Sequence, residues 1–300
     1  MRILHLDSGA GMRGGQWQVY HLLRGLARAG HSVLLLAPPS SPLFEKAAAK
    51  GLPVEPLSWS RLLARSARFD LVHAHDARSH TLAALFSRAP LLVSRRVAFP
   101  VKGTWASRWK YGRPVHYIAI SETVKECLRA AGLPETRISV VFDGVELPDT
   151  PGFSEHGPIL TLASEDPGKG AALVQEAARL AGVAVKPSSD LPRDLRNARL
   201  FVYVSEQEGL GSAALLAMAA GVPVVASAVG GLREIVIDGF TGFVTENRPE
   251  CIAAVMKRAL TDVEACRNIS RLARRQVEEK FSLEAMVMGT LSVYEKVLSC

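Results

Sequence analysis

The chain has 300 residues, 48% of them hydrophobic, which is enough to bury one large core or two medium ones. Its apolar runs stop well short of the roughly 18 residues a membrane span needs, and Met1-Arg2-Ile3-Leu4 enters a strand pattern rather than a signal peptide, so a cytoplasmic chain is expected. The formal charge of +7 is uneven: residues 1–150 carry 20 Lys/Arg against 11 Asp/Glu, net +9, and residues 151–300 carry 16 against 18, net −2, so the first half favours an anionic partner, such as a phospholipid surface or a phosphorylated acceptor, and does not single out nucleic acid.

Residues 2–7 read as a short strand, followed by the glycine-rich Ser8-Gly9-Ala10-Gly11-Met12-Arg13-Gly14-Gly15 and a helical pattern over 16–29. No Gly-Lys-Ser/Thr closes that loop and it is out of register with the dinucleotide fingerprint, so alone it is weak evidence of phosphate binding. Further strands are expected at 32–36, 71–73, 91–94, 117–120 and 138–142, with helix or loop between them, the alternation of a parallel sheet covered on both faces. His73 falls inside a strand pattern, as a core histidine does; His75 and Asp76 fall at the strand's end, where side chains can enter a cleft. Arg95 and Arg96 end the next strand. Arginine is no base at neutral pH but can hold a phosphate bidentately, so the two read as an anion site or as a solvated pair. Between Lys102 and Arg113 cations alternate with aromatics, and Trp105 and Trp109 share a helical face flanked by Arg108 and Lys110. That pattern fits a helix resting on an anionic membrane; the alternative is that both tryptophans pack inward. Ser121 is an expected N-cap, Asp143-Gly144 a tight turn, and Pro148, Pro151, Gly152, Gly157 and Pro158 mark a linker.

In the second half, 159–163 reads as a strand, 164–170 as its loop and 171–181 as a helix, with a further strand at 183–185 and a helix at 190–197. An apolar strand over 200–204 is broken by Glu208-Gly209-Leu210-Gly211 before an Ala/Leu-rich helix from 212, and a strand over 222–226 ends at Gly230-Gly231, which opens another short helix. Two consecutive helix N-termini then face one crevice, which suits a diphosphate; glycines that merely make turns are the alternative. Helices are expected at 250–260, 262–280 and 282–299. Cys127, Cys251, Cys266 and Cys300 share no metal-ligand spacing, so reduced thiols are expected and neither a metal nor a redox cofactor is.

The stretch 201–244 resembles the donor-binding signature of family 4 glycosyltransferases at Glu208, Gly209, Gly211, Ala217, Met218, Ala219, Gly221, Pro223, Val224, Val225, Ala226, Gly230, Gly231 and Glu234. Gly14-Gly15 resembles the family's opening Gly-Gly loop, the segment from Asp70 to Asp76 its Asp-x-Val-His-x-His, Asp143-Gly144-Val145 its Asn-Gly-Val turn, and Lys169-Gly170 its Lys-Gly. The departures are Arg96 where many relatives carry a cleft histidine, Ser164 where an arginine is usual, and Leu216 for the second glutamate. That glutamate would accept charge-assisted hydrogen bonds from ribose hydroxyls, worth about 1.5–3 kcal/mol each.

The resemblance implies an α/β chain of the GT-B type, two Rossmann-like domains with parallel sheets facing across a cleft. Residues 1–147 would form the acceptor domain, 148–282 a trimmed donor domain, and 283–300 a helix returning to the first. It implies metal-independent transfer of a hexosyl-type sugar, with retention, from a nucleoside-diphosphate sugar to a glycan, lipid-linked or phosphorylated acceptor. No cofactor is implied beyond that co-substrate. The setting implied is cell-envelope polysaccharide synthesis by a cytoplasmic protein, peripheral on the inner face of the membrane. Glu208, Lys169 and Arg96 are the expected catalytic residues; Gly14, Gly15, Gly209, Leu210, Gly211, Ser212 and Leu216 the donor-binding positions; His75, Asp76 and Arg95 the acceptor or cleft positions. Leu216, Ser164, Arg96 and the shortened second domain also fit a rival, a non-catalytic protein of the same fold that binds a glycan or a protein partner.

Overall fold

The computed structural model describes residues 1–299, so Cys300 lies outside the described residues. The chain divides into two compact units: Met1–Gly144 together with the helix Leu283–Leu298, and Val145–Ser282.

In the first unit seven short apolar segments form one parallel sheet: β1 (Arg2–Leu6), β2 (Ser32–Ala37), β3 (Val54–Pro56), β4 (Leu71–Ala74), β5 (Leu91–Arg95), β6 (His116–Ala119) and β7 (Ile138–Val140), in the order β3-β2-β1-β4-β5-β6-β7. Helices cover both faces, which is why strands such as Ser-Val-Leu-Leu-Leu-Ala are apolar without alternation. The register sets Leu4 beside Leu34 and Val72, and His5 beside His73. Five of the helices that follow strands are capped by a side chain at the N-terminus: Ser41, Ser58, Asp76, Thr104 and Ser121 each accept from a backbone N–H of the first turn. The helix after β1, Gly14–Arg28, has no side-chain cap. Helix Leu283–Leu298 lies against it, with Val287 packed so closely on Gly25 that a β-carbon there would sit 2.3 Å from Val287 Cγ2.

The second unit is a five-stranded parallel sheet of β8 (Ile159–Leu162), β9 (Val185–Ser188), β10 (Leu200–Tyr203), β11 (Val224–Ser227) and β12 (Phe243–Thr245), ordered β12-β11-β10-β8-β9. Val174, Val202, Val225, Phe243, Ile252, Met256 and Ile269 fill its core. The Pro/Gly-rich stretch 148–158 is no free tether. Gly152 donates to Ala220 O and accepts from Ala198 N, Ser154 donates to Ala198 O, and Arg274 binds Pro148 O at 2.6 Å, so the backbone of this segment is docked within the second unit. Among the described residues no helix is long and apolar enough to cross a membrane.

Candidate active site

An open parallel sheet binds ligands outside the C-terminal ends of its strands, where the strand order reverses and neighbouring loops part. In the first unit that point lies between β1 and β4, and in the second between β8 and β10. Each sequence-derived candidate sits at or beside one of these two edges.

At the edge of the first unit the polar groups are paired with one another. Asp7 follows β1, is buried, and accepts from Gly9 N at 2.8 Å and from Gln16 Nε2 at 3.2 Å to each oxygen. Burial raises its pKa, with the Gly9 hydrogen bond opposing. Asp76 follows β4 and serves as a cap: Ser8 Oγ and the Arg78 and Ser79 amides donate to one oxygen at 2.6, 2.8 and 3.0 Å, and Ser8 N to the other at 2.7 Å. Burial would raise its pKa, but these bonds outweigh it and hold the carboxyl below the ordinary range. Arg96 Nε donates to Asp143 Oδ1 at 3.2 Å with the side chains only 13% and 6% exposed, so the cation is matched inside the protein. Its Nη1 reaches His75 O at 3.4 Å and faces His75 Nδ1 at 3.5 Å. Its stem runs beside Gly15, where a β-carbon would lie 3.6 Å from Arg96 Cδ. Arg95 has different partners, the Tyr111 hydroxyl and Phe99 O, so the two arginines do not converge on one anion.

His5, His73 and His75 complete this edge, with ring nitrogens within 4.8 Å of one another, a spacing a metal ion could use. All but one of their ring nitrogens face other partners. His73 binds the Tyr294 hydroxyl at 2.7 Å and Ser94 Oγ at 2.8 Å, and His5 Nδ1 meets His75 Nε2 at 3.0 Å. A guanidinium can only donate, so the Nδ1 of His75 that faces Arg96 is the lone-pair nitrogen; His75 then donates from Nε2 to His5, and the His5 proton sits on Nε2, a buried atom without a partner among the described residues. Burial holds His5 down to about 3 and lowers His73 and His75 well below their ordinary value, so all three rings are neutral at pH 7.

The edge of the second unit is built differently. The turn Pro167–Lys169, capped by Asp166, presents Lys169 after β8, and the loop after β10 presents Glu208. Lys169 Nζ is ion-paired with Glu208 Oε1, the side chains 25% and 11% exposed. Tyr203 at the end of β10 joins them: its hydroxyl donates to Glu208 Oε1 at 2.6 Å and accepts from Lys169 Nζ at 3.3 Å. The helices that follow, Ala171–Ala181 and Ser212–Ala219, start from Gly170 and Gly211 with no side-chain cap, so their first amides stay open. Gly211 has φ +107°, the left-handed region that favours glycine. The turn after β11 presses on this loop: β-carbons on Gly230 and Gly231 would lie 2.1 Å from Glu208 O and 2.2 Å from Gly209 O, so only glycine fits the Gly-Gly pair. Leu210 is buried, Ser212 opens the helix, and Leu216 is half-buried on it. An open cavity of about 580 Å³ lies beside β8 and β9, lined by Ser164, Glu165, Ala172, Gln175 and Pro187 among others; Lys169 and Glu208 are not among its walls.

Tyr203 and the pairing of Asp143 with Arg96 escaped sequence reasoning. Tyr203 stood in an apolar strand run, and its one signal was a hydroxyl at the strand's last position. Asp143 read as a turn residue, because a partner 47 positions away leaves no mark in the local pattern.

The family model described as Glycosyltransferase Family 4 matches residues 12–148, and that described as Glycosyl transferases group 1 matches residues 182–276. An uncharacterized glycosyltransferase of Methanocaldococcus jannaschii is 36% identical over 104 residues, 34% of this chain and 29% of that protein. The capsular polysaccharide biosynthesis glycosyltransferase CapM of Staphylococcus aureus is 31% identical over 117 residues, 39% of this chain and 31% of its own. The matched stretch thus spans under a third of either curated relative. Among solved structures, Anabaena HepE in complex with UDP and glucose superposes with a TM-score of 0.86 at 17% identity, covering 98% of this chain and 99% of that one. That likeness shows the GT-B fold. With family matches in both units and the same fold, the chain belongs to the family 4 glycosyltransferases.

Proposed function

We propose that the chain transfers a hexosyl-type sugar from a nucleoside-diphosphate sugar, with retention and without a metal ion, to a cell-surface glycan or its lipid-linked or phosphorylated precursor. The observation that carries this reading is the edge of the second sheet, where Lys169 and Glu208 lie beside two uncapped helix N-termini. Charge that develops on a departing diphosphate needs preorganised positive groups, and backbone amides at helix N-termini with a lysine provide them. In this reading Lys169 and the amides of Gly209, Leu210, Gly211 and Ser212 hold the diphosphate, Glu208 holds hydroxyls of the sugar, and residues 148–282 are the donor domain. UDP and UDP-glucose complexes of HepE support a uridine donor as the first to test.

The acceptor is assigned to the N-terminal domain, residues 1–147, with Gly14, Gly15, His75, Asp76, Arg95 and Arg96 about the switch point of its sheet. The capsular relative supports an envelope glycan, and a surface feature supports a membrane-associated one. Helix Trp105–Gly112 has no buried residue, Trp105 is 81% exposed and Phe99 58% exposed, so the tryptophans do not both pack inward. Between Asp76 and Glu122 the chain has eight Lys/Arg and no acid. Exposed indoles beside the exposed cations Lys102 and Arg108 suit an anionic lipid surface on the cytoplasmic side.

The test is incubation with UDP-glucose: release of UDP and glucose, and α-glucose as the first product, are expected. A β-anomer overturns retention; no turnover of UDP-, GDP- or ADP-sugars, with or without glycan acceptors, favours the non-catalytic reading, in which Ser164 and Leu216 mark lost donor contacts.

A further inference from the structure

The Lys169–Glu208 contact has a third member whose position does not depend on the other two. Tyr203 is 4% exposed, with its ring stacked on Phe201 at 5.7 Å and 15°. Lys169, by contrast, hangs from a three-residue turn, and its side chain is partly exposed. The donors are fixed by chemistry: an ammonium only gives hydrogens and an ionised carboxylate only accepts. Burial, with Glu208 beside it, holds the Tyr203 phenol well above its ordinary value, so the hydroxyl keeps its proton. Glu208 Oε1 therefore accepts twice, from a buried hydroxyl and from the ammonium of a partly exposed lysine.

Further acids lie close to this turn in the chain. Glu165 and Asp166 are in its loop, and Glu206 approaches within 3.9 Å of where a β-carbon on Gly168 would be. An incoming anion must draw Lys169 away from Glu208, and a poorly solvated carboxylate that loses its cation is destabilised unless another donor stays. We propose that Tyr203 is a positioning residue: it keeps Glu208 hydrogen-bonded and in place when a diphosphate takes over Lys169, which makes an ion pair closed in the free protein easy to open. The inference rests on the reading of this edge as the donor site.

Calorimetric titration with UDP of the wild type, Tyr203→Phe, Glu208→Gln and the double variant tests it. Tyr203→Phe is expected to weaken UDP about tenfold. Glu208→Gln, which releases the lysine, binds UDP at least as tightly as the wild type, and in its background Tyr203→Phe changes the affinity less than about twofold, since the hydroxyl acts through the Glu208 charge. A merely structural role for Tyr203 would weaken UDP equally in both backgrounds, and that result, or no effect in the wild-type background, overturns the proposal while the donor-site reading stands. A wild type that binds none of UDP, GDP and ADP at millimolar concentration removes both.

Discussion

The two switch points solve opposite problems with the same architecture. At the first, most side chains pair with one another: Asp76 caps the helix after β4, Asp143 neutralises Arg96, and the histidines are linked through neutral rings, while His5 Nε2 and Arg95 Nε lack a partner among the described residues. At the second, the helices after β8 and β10 begin on glycines, their amides are left open, and the cation nearby is held by an ion pair on a short turn. A saturated edge costs stability when one partner is removed and gives a fixed floor. An unsaturated one contributes little to the fold and leaves donors for a ligand.

Removing the cation should separate the two most clearly. Lys169→Ala should lower UDP affinity about a hundredfold, as expected for loss of a charge-assisted contact, while the thermal midpoint moves by only a few degrees. Unchanged affinity by calorimetry would take Lys169 out of the site. The reverse holds at the first edge. Asp143→Ala or Arg96→Ala strands a buried charge and should cost about 3 kcal/mol in urea denaturation, and the double replacement less than the two single costs combined. Additive costs would mean that the ion pair is not a unit.

Acid should also act on the first unit. As pH falls through 6.5 the unfolded chain protonates histidines that the folded unit keeps neutral, so stability drops by about 1.4 kcal/mol per pH unit for each such ring. The loss continues toward the folded values, about 3 for His5 and His80 and about 4 for His116. Asp7 and Asp143, raised mainly by burial, work in the opposite direction once the pH approaches their own range. Urea midpoints measured between pH 7 and pH 5 should fall, and His5→Asn should flatten the slope by one ring's share; a flat profile contradicts neutral burial. The smallest effect belongs to the surface. Replacing both Trp105 and Trp109 by Ala should release the chain from vesicles containing anionic lipid and leave UDP affinity unaltered, and equal co-sedimentation of the variant and the wild type would exclude these indoles from any membrane contact.

What was readable in advance follows from how local each cause is. The central strands announce themselves as apolar runs, and Gly230 and Gly231 as a pair that no other residue can replace. Edge strands do not: β3 is three residues ending in Pro56, and β9 sits at 185–188 rather than 183–185, with Pro187 inside it, which only an edge tolerates. β11 begins after Pro223 because proline gives the ladder no N–H, so its start falls two positions later than the apolar run suggests. The site residues at loop ends were legible one by one, but their pairings were not. Arg96 with Asp143 and Lys169 with Glu208 and Tyr203 are made by the sheet, which brings together segments far apart in the chain.

The central claim is that open amides and a partly exposed lysine at the β8–β10 edge receive a diphosphate. Backbone amide shifts recorded during a UDP titration test it most directly: the largest changes should fall on Ala171 to Leu173 and Gly211 to Ala214. Saturating shifts confined to the first unit, or none at millimolar UDP, would contradict it.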